Sequence, residues 1–245
     1  MRNFVRERNV AQTVLVVDDD PLECQLLQRT LLGADIQAMT LTDSRQAIEL
    51  ARQQTFDAIF VDVNMPPPDG MEVTRQIRAS EINKKTPVIM ITGHEDPSIV
   101  ARGFQAGISF FLYKPIVKDR LLNLVRVSHS VNRVEKRRFH RVAVQRKVEV
   151  ETNGKVLAGD TLDVSLNGLL VRTSGTFPAD SHVKIRLMLN TGKSPLATSG
   201  IVARVPSPNS MGIRFDTIGM SESKQLQDFL LPLMIASDAA APTKP

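Results

Sequence analysis

The sequence predicts two domains: a doubly wound α/β domain with a five-stranded parallel sheet, followed by an antiparallel β-barrel with a C-terminal helix. Three observations support this division. The first half alternates continuous apolar runs with amphipathic helical patterns, which is typical of a parallel sheet covered on both faces. The second half contains short strand patterns separated by turns, which is typical of a small barrel. A single basic run joins the two halves.

The α/β domain is predicted at residues 13–131, after an N-terminal segment at 1–12. Five strand patterns alternate in it with five helical patterns. The strands are predicted at 13–17, 36–41, 58–61, 88–91 and 110–112, and the helices at 22–31, 44–53, 71–79, 97–106 and 118–131.

The barrel domain is predicted at residues 143–236, after a linker at 132–142 and before a disordered Ala/Pro-rich tail at 237–245. Imperfect alternation at 142–151 precedes five strand patterns, and one amphipathic helix follows at about 221–235. These strands are predicted at 157–164, 169–173, 183–189, 197–205 and 211–215.

The formal charge of +5 resides in the basic run from Arg133 to Lys147. That run holds seven basic residues and one acid, whereas residues 1–132 hold 15 basic and 16 acidic residues and residues 148–245 hold nine of each. A local positive patch on a near-neutral background indicates a local anionic partner.

Composition excludes several classes of protein. Cys24 is the single cysteine, which excludes disulfide frameworks and cysteine metal sites. No apolar run approaches membrane-spanning length, so we expect a cytoplasmic protein without membrane insertion. The motifs of P-loop enzymes and serine hydrolases are absent from the sequence, as is histidine metal-site spacing, so we do not expect an enzyme.

Polar residues follow four of the predicted parallel strands, where the carboxyl ends of the strands form a functional edge. They are Asp18, Asp19, Asp20, Asp62, Thr92 and Lys114. Clustered carboxylates without histidine or thiol suit Mg²⁺, and one carboxylate oxygen could attack a phosphoryl group. Lys114 and Thr92 could then bind the phosphoryl oxygens.

These residues stand in motifs that resemble the receiver domain of two-component response regulators. The motifs are Val-Val-Asp-Asp-Asp-Pro ending at Pro21, Asp-Val-Asn-Met-Pro starting at Asp62, Ile-Thr-Gly around Thr92, and Lys114-Pro115. The resemblance spans 12–131 and implies a flavodoxin-like receiver fold. It implies that Asp62 is the phosphoacceptor, that Asp18 and Asp19 are the acid pair, and that a sensor histidine kinase is the phosphodonor.

The same resemblance implies the remaining roles in the domain. Mg²⁺ is expected on Asp19, Asp62 and the backbone carbonyl of Asn64, with Asp18 acting through water. Thr92 and Phe111 occupy the two switch positions, and Lys114 is the family's lysine. Phosphorylation is expected to attract Thr92 and Lys114, after which Phe111 turns inward.

Two short motifs in the second half carry binding chemistry. Arg137 and Arg141 form an Arg-x-x-x-Arg pair, whose guanidinium groups suit phosphates and guanine edges. Asp163 can accept hydrogen bonds from guanine, Ser165 adds a hydroxyl, and Gly168 permits close approach of the backbone. Either motif alone is weak, but the two together favour a ligand with guanines and phosphates.

In this order, ahead of a barrel, the motifs resemble the PilZ domain, a family of cyclic di-GMP receptors, over 135–235. The resemblance implies that Arg137, Arg141, Asp163, Ser165 and Gly168 bind cyclic di-GMP. Lys136 and Arg138 are expected to assist.

The leading hypothesis is therefore a response regulator that integrates phosphorylation of Asp62 with cyclic di-GMP binding and signals to a downstream protein partner. A second copy contacting through the receiver is also among the expected partners, whereas DNA is not. One alternative is a nucleic-acid-binding regulator, marked by strong salt dependence. The other is a docking module that does not bind the dinucleotide.

Overall fold

The computed structural model describes residues 12–93, 97–133, 141–190 and 194–239. Within these ranges, none of the helices is long and apolar enough to cross a membrane.

The first domain is built on a five-stranded parallel sheet with strand order β2-β1-β3-β4-β5. Strands β3 and β4 are buried along their whole length, as expected for a sheet covered on both faces. The elements are β1 (Thr13–Val17), α1 (Pro21–Leu32), β2 (Gln37–Leu41), α2 (Ser44–Gln53), β3 (Ala58–Asp62), α3 (Gly70–Ala79), β4 (Val88–Thr92), α4 (Pro97–Ala106), β5 (Phe110–Tyr113) and α5 (Lys118–Arg133).

Aspartate side chains start the first three helices. Asp20, Asp43 and Asp69 are the N-caps of α1, α2 and α3, and each accepts a hydrogen bond from a backbone N–H in the first turn. Asp20, which the sequence placed with the strand-end carboxylates, therefore has a capping role. Its carboxylate accepts from the N–H of Leu22 at 2.8 Å.

The second domain is a closed six-stranded antiparallel barrel with the order β8-β7-β10-β11-β12-β9, in which β9 pairs back with β8. Asn153 and Gly154, both with positive φ, form the hairpin turn between β7 and β8. The elements are β6 (Arg141–Val142), β7 (Lys147–Thr152), β8 (Lys155–Ser165), β9 (Gly168–Thr173), β10 (His182–Leu187), β11 (Leu196–Ser207), β12 (Ser210–Thr217) and α6 (Met220–Ala239).

The predicted linker at 132–142 is shortened at both ends by regular structure. Asn132 and Arg133 complete α5, while Arg141 and Val142 form β6 because they pair with Ser165 and Val164 of β8. Residues 134–140 lie outside the described residues, as do 1–11 of the predicted N-terminal segment and 240–245 of the predicted tail.

Helix α6 is amphipathic, as the sequence predicts, and its buried face packs against both domains. It contacts β6 and β11 of the barrel and also α4, α5 and β5 of the first domain. Its buried apolar side chains share one face of the helix, and exposed residues recur along the other. The buried apolar side chains include Leu226, Leu230, Leu231 and Met234.

Candidate functional sites

The first candidate site is an acidic pocket at the carboxyl edge of the parallel sheet. Asp18 follows β1, Asp62 ends β3, and Lys114 follows β5, so the topology brings them together. Lys114 Nζ lies 3.0 Å from Asp62 Oδ1 and 3.5 Å from Asp18 Oδ2. Because Asp18 and Asp62 are only 1% and 5% exposed, one lysine holds two buried carboxylates.

Backbone donors fix the orientation of both carboxylates. The N–H of Asp20 donates to Asp18 Oδ1 at 3.0 Å, and the N–H of Asn64 donates to Asp62 Oδ2 at 2.6 Å. Asp18 Oδ2 is buried and has no hydrogen-bond donor among the described residues, with Lys114 Nζ as its nearby cation. Burial, with a smaller contribution from the negative charge of Asp62, raises the pKa of Asp18.

Lys114 is anchored to the neighbouring strand. Its backbone N–H donates to the carbonyl of Thr92 at 2.8 Å, which places Thr92, 1% exposed, at the end of β4 beside the pocket. Burial alone would lower the pKa of the Lys114 ammonium, but Asp62 and Asp18 outweigh it and raise the pKa. Lys114 therefore remains a cation at neutral pH.

The start of helix α3 packs closely against the end of β3, the strand that carries Asp62. A Cβ atom at Gly70 would lie 2.1 Å from the carbonyl oxygen of Asp62, far inside contact distance. Only glycine allows this close approach of α3 to the end of β3.

The donor set of the pocket suits a hard cation, although the side chains are not arranged around one. Asp62 and Asp18 supply oxygens of the kind that Mg²⁺ prefers, and Asp18 Oδ2 is buried with no hydrogen-bond donor among the described residues. Among the described residues, no three His, Cys, Asp or Glu side chains form a group that could hold a metal ion. Lys114 instead lies between Asp18 and Asp62, and Asp19 is exposed. The predicted Mg²⁺ set stays a prediction.

Phe111, one of the predicted switch residues, is already fully buried. Its ring stacks with Tyr113 at a centroid distance of 5.8 Å and meets the Phe104 ring edge-on at 5.4 Å. The ring thus already occupies the inward position, and the predicted response of Phe111 to phosphorylation stays a prediction.

Gln227 of α6 binds the main chain of Phe111 with both ends of its amide. The N–H of Phe111 donates to Gln227 Oε1 at 3.0 Å, and Gln227 Nε2 donates to the Phe111 carbonyl at 2.6 Å. The side chain thus extends the hydrogen bonding of the edge strand β5 as a further strand would.

Two more polar contacts join α6 to the first domain. The Tyr113 hydroxyl and Ser223 Oγ are 3.0 Å apart and buried, and burial raises the pKa of Tyr113 to about 12. Arg120 of α5 forms an ion pair with Asp228. The sequence analysis missed this interface. Ser223 and Gln227 are four residues apart on the apolar face of α6, and polar residues at that spacing indicate a face that hydrogen-bonds to a partner.

The second candidate site lies where β6 meets the turn after β8. Arg141 Nη1 donates to Asp163 Oδ1 at 2.5 Å, although the two residues are 22 positions apart in the chain. Their side chains remain 38% and 24% exposed, so both are accessible to a ligand. The structure therefore brings together two of the predicted ligand residues from different motifs.

The other two described motif residues shape the turn itself. Ser165 is 4% exposed and its hydroxyl donates to the Gly168 carbonyl at 3.0 Å. A Cβ atom at Gly168 would lie 2.1 Å from the carbonyl oxygen of Ile213, so this glycine lets β9 and β12 pair. Their predicted contact with the ligand stays a prediction, as do the roles of Lys136, Arg137 and Arg138, which lie outside the described residues.

Comparison with family models gives one match to each half of the chain. Residues 14–126 match the model described as the response regulator receiver domain. Residues 135–231 match the model of the PilZ domain. Together the two matches include both candidate sites.

Curated relatives match over the first half. The chain is 40% identical over 126 residues to the C4-dicarboxylate transport transcriptional regulatory protein DctD of Pseudomonas aeruginosa, covering 51% of this chain and 27% of that protein. It is 38% identical over 120 residues to the signal transduction histidine-protein kinase BarA of Escherichia coli (strain K12), covering 49% and 13%. The chain therefore spans about a quarter or less of the length of these relatives.

Solved structures also resemble the first half. One is the receiver domain of the sensor histidine kinase PA1611 from Pseudomonas aeruginosa, determined with a magnesium ion in its active site cleft. It is 29% identical, with a TM-score of 0.45, and the alignment covers 47% of this chain and 95% of that chain.

Proposed function

This chain joins a response regulator receiver domain to a PilZ domain, and from that premise we propose that it is a response regulator that binds cyclic di-GMP. A histidine kinase phosphorylates Asp62, the dinucleotide binds at Arg141 and Asp163, and the combined state is passed to a protein partner. The observation that carries the proposal is the Arg141–Asp163 pair beside the Ser165–Gly168 turn. It assembles guanidinium and carboxylate groups for a ligand that has both phosphates and guanines.

In the receiver, an Asp62 carboxylate oxygen attacks the phosphorus of the kinase's phosphohistidine, and the phosphorus–nitrogen bond breaks. Lys114, 3.0 Å from Asp62, balances the charge of the phosphoryl group, and Thr92 offers its hydroxyl. Asp19, Asp62 and the Asn64 carbonyl, with Asp18 acting through water, would hold a Mg²⁺ ion, which would supply further compensation of negative charge. The buried, donor-free oxygen of Asp18 supports this assignment.

In the PilZ domain, Arg141 and Asp163 exchange their mutual contact for contacts with the ligand. The guanidinium binds a phosphate or the guanine O6/N7 edge, and the carboxylate accepts hydrogen bonds from the guanine N1–H and amino group. Ser165 and Gly168 hold the turn that presents these groups.

Helix α6 is the route by which the two inputs meet. Phosphorylation alters the surroundings of Thr92 and Lys114, and Lys114 is the residue after β5. The main chain of β5 is bonded to Gln227 of α6, which also packs on the barrel. A shift of β5 therefore changes the free energy of interdomain packing, and by linkage the dinucleotide affects the receiver equally.

The test is calorimetric titration of cyclic di-GMP into the full chain, with and without treatment by a small-molecule phosphodonor. We expect saturable binding that Arg141→Ala removes and that the control Arg186→Ala, exposed on β10 and two strands from β8, leaves intact. Labelling by the phosphodonor should disappear in Asp62→Asn. No binding by the wild-type chain would overturn the receptor proposal and favour a docking or nucleic-acid-binding module.

A further inference from the structure

A cleft of about 270 Å³ lies between the two domains at the PilZ motif turn. The barrel contributes Ser165, Leu166 and Asn167, which are the centre of the Asp163–Gly168 motif. The opposite wall comes from the receiver, from the ends of α3 and α4, the α3–β4 connection and the α4–β5 connection. Its residues are Arg78, Lys84, Lys85, Phe104, Gly107, Ile108 and Ser109.

The receiver wall of this cleft is strongly basic. Three of its residues are cations, and no acidic residue lines the cleft. Lys84 approaches Glu81 at 4.0 Å, but both side chains are largely exposed, so that pair is weak. Within the described part of the chain, neither Arg78 nor Lys85 forms an ion pair with a carboxylate. The cleft therefore has an uncompensated positive charge.

Arg78 is fixed in the wall by carbonyl groups. Its guanidinium donates to the carbonyls of Gly107 at 2.7 Å and Thr86 at 2.6 Å, and to Ser109 Oγ at 3.4 Å. Burial lowers its pKa to about 10, which leaves it charged at neutral pH. Arg78 thus ties the two receiver connections together and places a permanent charge behind the cleft, while the exposed Lys84 and Lys85 can move toward a ligand.

We propose that Lys84 and Lys85 of the receiver contact a phosphate of the cyclic di-GMP bound at the PilZ motif, so that the dinucleotide site is shared by both domains. The inference rests on the proposed function and adds residues that neither motif contains. Lysine ammonium groups are suited to phosphate as mobile point charges. The cleft is slightly smaller than typical sites for whole ligands, so it receives one phosphate and its sugar while Arg141 and Asp163 hold the rest.

A shared site makes affinity depend on the position of the receiver. Gly107 and Ser109 in the cleft wall immediately precede β5, whose far end carries Lys114 of the phosphoacceptor pocket. A change at Asp62 therefore reaches the ligand directly through β5, in addition to the route through α6.

The test compares Lys84→Ala/Lys85→Ala with a matched double variant, Lys118→Ala/Lys184→Ala, in which two exposed lysines away from the cleft are removed. Titration of cyclic di-GMP into each full chain should show roughly tenfold weaker binding for the cleft variant at unchanged stoichiometry. Its salt dependence should also be shallower, because fewer cations meet phosphate. Lys84→Arg/Lys85→Arg should bind nearly as the wild type does.

Phosphodonor labelling of Asp62 in the cleft variant establishes that its receiver is folded. Wild-type affinity in this variant, together with loss of binding in Arg141→Ala, would overturn the shared site and leave the proposed function standing. If the wild-type chain itself did not bind, the proposed function and this inference would both fail.

Discussion

In the receiver, Asp18 and Asp62 are buried and converge on Lys114, whereas in the PilZ domain Arg141 and Asp163 meet at the surface with 38% and 24% of their side chains exposed. The first site is supplied by the ends of parallel strands in one sheet. The second lies at a two-residue strand and a turn, beside a cleft whose other wall belongs to the receiver.

Under the proposed function, this difference follows from what each site would hold. A phosphoryl group is small, and buried, oriented charges stabilise it strongly. A dinucleotide is large, so its site is open and depends on neighbouring segments for closure. Disturbing the interface between domains should therefore affect the second site more than the first.

The largest expected effect is on the stability of the PilZ barrel. Gly168→Ala places a Cβ 2.1 Å from the Ile213 carbonyl, so β9 and β12 must separate. We expect a loss of about 3 kcal/mol or more in the stability of the barrel, because both colliding groups belong to paired strands. Urea unfolding followed by circular dichroism measures it.

Gly175→Ala is the matched control, since a Cβ there meets nothing within 4 Å. Phosphodonor labelling of Asp62 should survive in the Gly168→Ala variant, because the acidic pocket lies within the receiver. Equal stability of the two alanine variants would show that close strand approach is not the role of Gly168.

A smaller effect is expected from a substitution in α6 at the interface between the two domains. Gln227→Ala leaves the N–H and carbonyl of Phe111 without their partner, at a cost of about 2 kcal/mol. We expect the dependence of cyclic di-GMP affinity on Asp62 phosphorylation to decrease. Titrations with and without the phosphodonor measure this coupling.

Gln225→Ala, on the same helix, controls for the change in helix propensity. If Gln227→Ala retained the full coupling, α6 would not be the route between the domains, and the cleft wall would be left as the connection.

The smallest effect is expected in the acidic pocket, where the substitution should stabilise the protein instead of destabilising it. The raised pKa of Asp18 means that the folded protein keeps this proton to a higher pH than the unfolded chain, whose value is near 3.8. The contribution of Asp18 to stability is thus complete below about pH 3.8 and is lost as the pH rises through the folded pKa. Asp18→Asn avoids that loss and should stabilise the metal-free protein by on the order of 1 kcal/mol at pH 7.

Unfolding free energies measured in a chelator between pH 4 and 7.5 check this prediction. The advantage of the variant should grow with pH, because the Asp18 carboxyl of the wild type loses its proton over this range. A constant difference across the range would contradict the raised pKa.

The receiver could be predicted nearly element by element, because its strands are continuous apolar runs and the polar residues at their ends mark the functional edge. Asp62 and Thr92, predicted to follow their strands, are the last residues of β3 and β4. The barrel was also recognisable from its turns. The fold class of both domains is confirmed.

The interface could not be predicted, since local pattern does not reveal which surfaces of two domains meet. Gln227 and Phe111 are 116 residues apart, and nothing in either local sequence indicates the other. The sequence likewise gives Lys84 and Lys85 no feature that distinguishes them from other surface lysines. Only the fold places them across the cleft from Asn167. The close approach of Gly168 to the Ile213 carbonyl could not be predicted either, because the two residues lie far apart in the sequence, and the predicted ligand contact of Gly168 stays a prediction.

The contact between β5 and α6 also orders events during synthesis. At roughly 5–20 residues per second, the ribosome needs several seconds or more to add the 116 residues that separate Phe111 from Gln227. Throughout that interval the edge of β5 emerges without its cover, and unpaired strand edges invite association with other chains. The nascent receiver therefore passes through a period in which α6 has not yet been made, and chaperone capture is best sought there.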